Sequence, residues 1–358
     1  MTEFHVPVSA LKGRGAATHL AHRFMREQRA VFDDGWTEYE PLAPQPTQVV
    51  FETVKSAINT VDAPDLFFEH SINPYRGCEH GCIYCYARPT HSYLNLSPGL
   101  DFETHIIAKH NIAEVLKDEL QRPGHQPKWL NVGSATDCYQ PVERELRITR
   151  AVIDVLDQAR HPFTLITKGS GVERDLDLLA PLGARRLAAV YITLTTLDVQ
   201  LARILEPRAA APHRRLRTIR TLVDAGVPVG VSVAPQIPFI NEDMEQVLAA
   251  ARDAGATSAF YTVLRLPWEL RELFQQWLQA HYPQRAERVM ARIRDLRGGR
   301  DNDPRFGTRM RGEGPWADLL RQRFQVACRR LGLNRQREPL DVSQFRPAAL
   351  RGQAGLFD

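Results

Sequence analysis

Cysteine and lysine are the scarce residues of this chain. Five cysteines in 358 residues are an odd number and too few for the disulfide framework of a small secreted domain. Lysine occurs six times against forty arginines; base composition of the coding sequence or selection for guanidinium chemistry would each produce that bias. No run of about 18 apolar residues exists, and the first residues carry no apolar leader, which argues against a membrane span and a secretion signal. Internal repeats and low-complexity tracts are missing as well, so solenoids and linker arrays drop out. The expectation is a cytoplasmic protein, in whose reducing surroundings thiols stay free to bind metal.

What is present suffices for a large buried core: 43% of residues are hydrophobic and 25% charged. The net charge of +4 is unevenly spread, because residues 284–351 hold 17 Arg against 8 Asp and Glu, leaving the remainder net acidic. Four stretches can be told apart. Residues 1–62 mix proline, charge and short apolar pieces and read as an extension laid across a domain. Residues 63–266 alternate apolar strand-like runs with amphipathic helical stretches. Residues 267–352 read as a helical, basic region, with a helix in "WELRELFQQWLQAHYP", an Arg- and Gly-rich loop to Met310 and a last helix in "PWADLLRQRFQVACRRLGL". Residues 353–358 form a terminal peptide.

The middle stretch carries the fold. Runs such as "LFFEHSI", "FETHIIAK", "KWLNVGS", "FTLITK", "RLAAVYITLT", "VPVGVSVAP" and "SAFYTVLRL" are nearly all apolar and are separated by single helices, the pattern of parallel strands covered on both faces. A helix is expected over Ile112 to Leu120. Another is expected from about Val142 to Gln158, with Pro141 in its first turn, Glu143 and Glu145 complementing the helix dipole, and Leu146, Thr149, Val152, Ile153 and Leu156 on one face. About six βα units predict an α/β fold, a partial (β/α)6 TIM-like barrel whose site lies at the C-terminal ends of the strands. The loops after the first parallel strand and the next one meet there.

The first of those loops is "YRGCEHGCIYCYARPTH", which packs Cys78, Cys82 and Cys85 into eight positions. Paired CxxC motifs of structural zinc and the lone CxxC of redox sites are spaced differently. Closely spaced thiolates on a loop suit an iron–sulfur cluster, where each iron normally takes one cysteine, so that three cysteines leave one iron free for another ligand. A zinc site would have to recruit His80, which sits between two of the cysteines.

CxxxCxxC with an aromatic residue before its third cysteine, placed after the first strand of a βα barrel, resembles the radical S-adenosylmethionine (SAM) superfamily across roughly residues 66–265. The resemblance implies a 4Fe–4S cluster whose open iron is chelated by SAM, and reductive cleavage of SAM to a 5′-deoxyadenosyl radical that abstracts hydrogen. "NPYRGCEHGCIYCYAR", "VGSATDCYQPVERELRITR", "LITKGSGVERDLDLL" and "ILEPRAAAPHRRLRTIRTLVDAGVPVGVSVAPQIPFIN" are similar to the branch related to spore photoproduct lyase, which reverses a thymine dimer without light. That resemblance implies roles residue by residue. Tyr84 would pack on the SAM adenine. Ser134, Thr136 and Asp137 would lie at the turn that binds the SAM amino group, and Lys168 and Thr193 would make polar SAM contacts, the ammonium meeting the carboxylate. Tyr86 would relay a hydrogen atom. Cys138 would quench the product radical, although Ser134 or Ala135 occupies the matching place, so Cys138 is either that donor or a thiol that packs. Cys328, near Phe324 and Leu331, is expected to be structural.

Two features point toward nucleic acid. The Arg-rich region can follow phosphates, as it can also be a solvated face. In "RGQAGLFD", Gln353, Leu356 and Phe357 match the ends of the short peptide by which bacterial repair proteins dock on the sliding clamp, with Ala where Leu is usual. The expected partners are therefore nucleic acid, the clamp and an electron donor such as flavodoxin or ferredoxin, with no membrane. Two other readings stay open: a radical SAM enzyme modifying RNA, a peptide or a small metabolite, and a non-catalytic, metal-stabilised adaptor at the clamp.

Overall fold

The computed structural model describes residues 11–25, 46–335 and 339–351. The described residues form ten strands, β1 (Gln48–Glu52), β2 (Asn59–Thr60), β3 (His70–Ile72), β4 (Tyr75–Arg76), β5 (His105–Lys109), β6 (Leu130–Val132), β7 (Phe163–Thr167), β8 (Ala188–Thr193), β9 (Val229–Gln236) and β10 (Ser258–Val263). Six of them, β3, β6, β7, β8, β9 and β10, are neighbours in chain order and parallel throughout. This is the partial barrel that the apolar runs predict. β2 adds an antiparallel edge beside β3. The registers align strand starts, for example Leu130 with Phe163 and Phe163 with Ala188, so the C-terminal ends of all six strands open on one face.

The run "FETHIIAK" departs from expectation. Its first residues make one helical turn, Asp101–Thr104, and β5 then leaves the barrel to pair with β1 and β4 in a separate three-stranded sheet. The cysteine loop and the 3-10 helix Arg88–Leu94 carry the chain away from the barrel sheet. Only after the helix Ile112–Leu120, formed where the sequence predicts it, does β6 rejoin that sheet.

The helix expected over 142–158 is broken. Glu143–Leu146 and Ile148–Gln158 are separate, with Arg147 at φ 53° between them. Glu143 is buried rather than a surface charge: it accepts hydrogen bonds from the Thr149 amide (3.0 Å), Arg174 (2.8 Å) and the Tyr75 hydroxyl. Its carboxylate thereby satisfies an orphan N–H of the second helix, and the chain bends to reach it.

The expected loop up to Met310 contains a helix, Ala286–Asp295. Ala286, Val289, Met290 and Ile293 are its buried residues, an apolar stripe at helical spacing set among arginines. With Leu270–His281 it builds a second core that includes Ile83 and Tyr84 of the cysteine loop and Leu264 and Leu266 beyond β10. The last helix, Gly314–Leu331, ends at Gly332 in a left-handed turn. Its Leu320, Ala327 and Cys328 join the barrel core, so Cys328 packs as expected. No helix of the described residues is long and apolar enough to cross a membrane.

Candidate active site

A cavity of about 450 Å³ opens at the C-terminal ends of the strands. The sequence-predicted residues Cys78, Cys82, Cys85, Tyr84, Tyr86, Ser134, Thr136, Asp137, Lys168 and Thr193 all border it, while Cys138 does not.

The cysteine loop is held by an arginine that sequence reasoning passed over. Arg88 is fully buried and donates to the carbonyls of Cys82 (2.8 Å), Gly81 (2.9 Å) and Gly99 (2.9 Å) while pairing with buried Glu103. Glu103 also accepts from the amides of Gly15 (3.1 Å) and Ala16 (2.8 Å), so residues 11–25 strap the outside of the loop. A Cβ at Gly15 would sit 1.8 Å from the Gly81 carbonyl, and Gly81 itself takes φ +66°. Both glycines allow backbone to approach backbone. The three cysteines all line the cavity, and among the described residues no group of three Cys, His, Asp or Glu side chains is placed to hold a metal ion.

His80 is occupied elsewhere. Its Nδ1 lies 3.1 Å from Asp137 Oδ2, at ion-pair distance but out of line for a hydrogen bond, and Asp137 accepts from Thr167 Oγ1 (2.6 Å), the Lys168 amide (2.7 Å) and the Tyr139 amide (2.9 Å). Burial disfavours the charge, yet His80 and these donors hold the Asp137 carboxyl well below the ordinary range. Asp137 thus ties three loops together. Thr136 likewise donates to the Gly77 carbonyl (2.6 Å). Ser134 is the less constrained hydroxyl, with only long contacts of 3.3 and 3.4 Å to Asn73.

Tyr84 is fixed from below. Its hydroxyl donates to Glu206, which also accepts from Thr195 Oγ1 (2.6 Å) and pairs with Arg215. Arg215 in turn donates to the Thr193 carbonyl (3.0 Å) and the Ala210 carbonyl (2.6 Å). Burial, then Cys82 and Glu206, push the Tyr84 phenol well up, so it remains a donor. Above the ring, at 5.7 Å from its centroid, lies Lys168 Nζ. No carboxylate of the described residues is within ion-pair distance of it. Burial opposes its charge, but Cys82, Glu206 and Asp137 outweigh that and raise its pKa. An uncommitted ammonium above an aromatic floor is a ready site for a ligand carboxylate.

Tyr86 points the other way. Half of its surface is open, it lines the cavity, and its hydroxyl donates to the Ser134 carbonyl. Burial, then Cys85, push its phenol up to about 12. Cys138 is fully buried in the barrel core, its Sγ 3.7 Å from the Ile166 carbonyl, behind Gly133. Glu206, Arg88 and Arg215 all lie in the family-like stretches, yet the sequence assigned a role to none of them.

Residues 72–253 match the family model described as the radical SAM superfamily. An uncharacterized protein of Mycobacterium tuberculosis is 36% identical over 260 residues, 71% of this chain and 75% of that one. An uncharacterized protein of Methanocaldococcus jannaschii is 24% identical over 240 residues, 67% and 86% of the two chains. Among solved structures, a variant of spore photoproduct lyase aligns with TM-score 0.50 and 16% identity over 79% of this chain and 78% of that one, a likeness of fold. Another, complexed with dinucleoside spore photoproduct, aligns at TM-score 0.48 and 16% identity over 66% of each chain. The chain belongs to the radical SAM superfamily, whose members use a 4Fe–4S cluster and SAM.

Proposed function

We propose that this protein is a radical SAM enzyme acting on nucleic acid, in the manner of lesion repair. One observation carries the reading: a single cavity joins three thiols and a free ammonium at its floor to an aromatic and cationic mouth. Cys78, Cys82 and Cys85 would hold the cluster, with SAM over Tyr84, its carboxylate toward Lys168 and its amino group toward the Ser134 hydroxyl and nearby carbonyls. When bound, these groups supply one electron and a sulfonium that yields a hydrogen-abstracting 5′-deoxyadenosyl radical.

The chain's own residues do the rest. Glu206 and Arg215 keep the Tyr84 ring from turning, Thr193 closes the wall beyond it, and Thr136 and Asp137 set the loop shape rather than offer free acceptors. Packed apolar walls keep water from the reacting carbon. Tyr86, between the cluster loop and the mouth, is the substrate-facing phenol. In the cytoplasm a flavodoxin or ferredoxin would reduce the site. The clamp peptide with Gln353, Leu356 and Phe357 lies outside the described residues; docking there remains part of the proposal on the sequence motif alone.

The test is anaerobic reconstitution with reductant, SAM and deuterated oligonucleotides carrying defined base lesions. Deuterium appearing in 5′-deoxyadenosine identifies the substrate carbon. Label transferred only from peptide or metabolite pools would replace nucleic acid as substrate, and no 5′-deoxyadenosine at all would leave the adaptor reading standing.

A further inference from the structure

Beneath the floor of the cavity Arg215 and Glu206 are paired with each other, and Lys168 is the cation that the proposed function uses; the mouth holds a second cation without a carboxylate partner among the described residues. Arg265, just beyond β10, borders the cavity with its guanidinium 5.7 Å from the Tyr86 ring centroid. Among the described residues its one hydrogen-bonding contact is Met310 Sδ at 3.9 Å, its Nε has no partner, and no carboxylate is within ion-pair distance. Arg309, on the same wall, is committed to Asp65 through two hydrogen bonds, one of 2.7 Å. Arg297 lies behind them, almost fully buried, and is held by backbone carbonyls, those of Thr308 (3.1 Å) and Arg309 (2.7 Å) among them. Of three clustered guanidiniums, only Arg309 has a carboxylate partner among the described residues. Burial, then the charge of Arg309, lowers the Arg265 pKa, and burial, then Arg265, lowers that of Arg297 to about 10.

A partly desolvated cation without a counterion is costly, and a ligand can supply the missing charge. The wall beside Arg265 says which ligand. Phe67, Phe68 and Phe260 border the same cavity, with ring centroids 5.3 Å apart for Phe67 and Phe68 and 6.1 Å apart for Phe67 and Phe260. Flat apolar surface beside a guanidinium matches a nucleotide, whose base stacks on aromatic rings while its phosphate meets arginine.

We propose that Arg265 binds a phosphodiester oxyanion of the substrate strand, with the adjoining base against Phe67 and Phe260, so that the nucleotide lies over Tyr86. The inference rests on the nucleic-acid reading and adds the residue that recognises the strand. Arg309 would join only by exchanging Asp65 for the phosphate.

The test uses the full chain, reconstituted but not reduced, in equilibrium dialysis with the deoxydinucleotide TpA and its neutral methylphosphonate analogue. Wild type should favour the phosphodiester by about tenfold, the effect of one charge-assisted contact. Arg265→Gln should bind the two alike, and Arg265→Lys should keep part of the preference. A merely structural role would weaken both ligands equally and leave the ratio unchanged. Equal binding of both ligands by wild type, or an unchanged ratio in R265Q, overturns the Arg265 subsite while leaving the nucleic-acid reading intact. Failure to bind TpA, with hexaglutamate bound instead through Arg265, overturns the phosphodiester assignment and the nucleic-acid reading together.

Discussion

Arg215 and Arg265 are the same residue in opposite circumstances. Arg215 lies under the cavity floor, almost fully buried, with Glu206 and two backbone carbonyls as partners. Arg265 lies at the mouth with no oxygen acceptor among the described residues. Under the floor the chain pairs its own charges and so fixes the Tyr84 ring, while Lys168 above that ring has no carboxylate partner among the described residues. The mouth is left for a partner that arrives and leaves, and its capacity is unmet in the free protein. Asking which buried charges the chain has already neutralised separates groups that hold the fold, such as Arg215, from groups left for a ligand, such as Lys168 and Arg265.

The largest effect should come from the floor's reason for existing. Replacing Cys78, Cys82 or Cys85 with Ala removes one thiolate of three, and 5′-deoxyadenosine formation should fall below detection, with loss of cluster absorbance after reconstitution. R265Q should keep SAM cleavage in the absence of substrate within about twofold, since Arg265 touches neither the thiols nor Lys168. Equal losses in the two variants would erase the distinction between floor and mouth.

Next comes stability. Arg215→Ala strands the Glu206 carboxylate in the interior and should cost about 3–5 kcal/mol. Arg265→Ala breaks no ion pair and should change stability by less than about 1 kcal/mol in either direction. Urea unfolding of the two variants side by side checks this, and a large loss in R265A would mean that the mouth is structural after all.

The two ends also differed in how readily the sequence disclosed them. That Cys78, Cys82, Cys85, Tyr84 and Lys168 meet at one cavity was legible, because a motif fixes their spacing and apolar strands fix their level in the barrel. Six parallel strands were legible for the same reason, as continuous apolar runs. Arg88, Glu103 and Glu206 were not, because a buried charge is indistinguishable from a surface one until its partner, 15 residues away for Arg88 and 122 for Tyr84 on Glu206, is known. The helix Ala286–Asp295 was hidden by its arginines, and β5 by a pattern that fits any sheet. Arg265 could not be read at all: its meaning lies in what is missing around it.

Acid should act on a third place, the opposite end of the barrel. His161, fully buried just before β7, has Nδ1 3.0 Å from the Pro162 carbonyl, so Nδ1 carries the ring proton and Nε2, without a partner, is bare. Burial, then the nearby His125 and His70 opposing the Pro162 carbonyl, holds its pKa down to about 3. Because the folded value lies below the ordinary histidine range, the unfolded chain binds the extra proton first. The associated stability is complete above about pH 6.5 and is lost as pH falls toward 3, about 2 kcal/mol of it between pH 6.5 and 5. His161→Gln should show a correspondingly shallower loss over that interval in urea titrations. The carboxyls of Asp137 and Glu206 are depressed, so the floor should keep its charges throughout the same range.

The smallest effect is expected from Cys138, the residue that the family resemblance made a hydrogen donor. Its thiol sits in the core with its sulfur toward the Ile166 carbonyl, and burial, then Asp137 and Glu143, push its pKa well up. A donor must meet the substrate radical, whereas Gly133 stands between this sulfur and the cavity: a Cβ built there would lie 3.0 Å from Sγ. Cys138→Ala should therefore cost about 1 kcal/mol of stability for the lost side-chain volume and leave the product distribution unchanged, whereas Tyr86→Phe should alter it. By-products that appear in C138A but not in Y86F would put the donor behind Gly133 and would mean that the glycine turn opens during turnover. The boundary between the floor and the mouth would then have to be drawn through Gly133 itself.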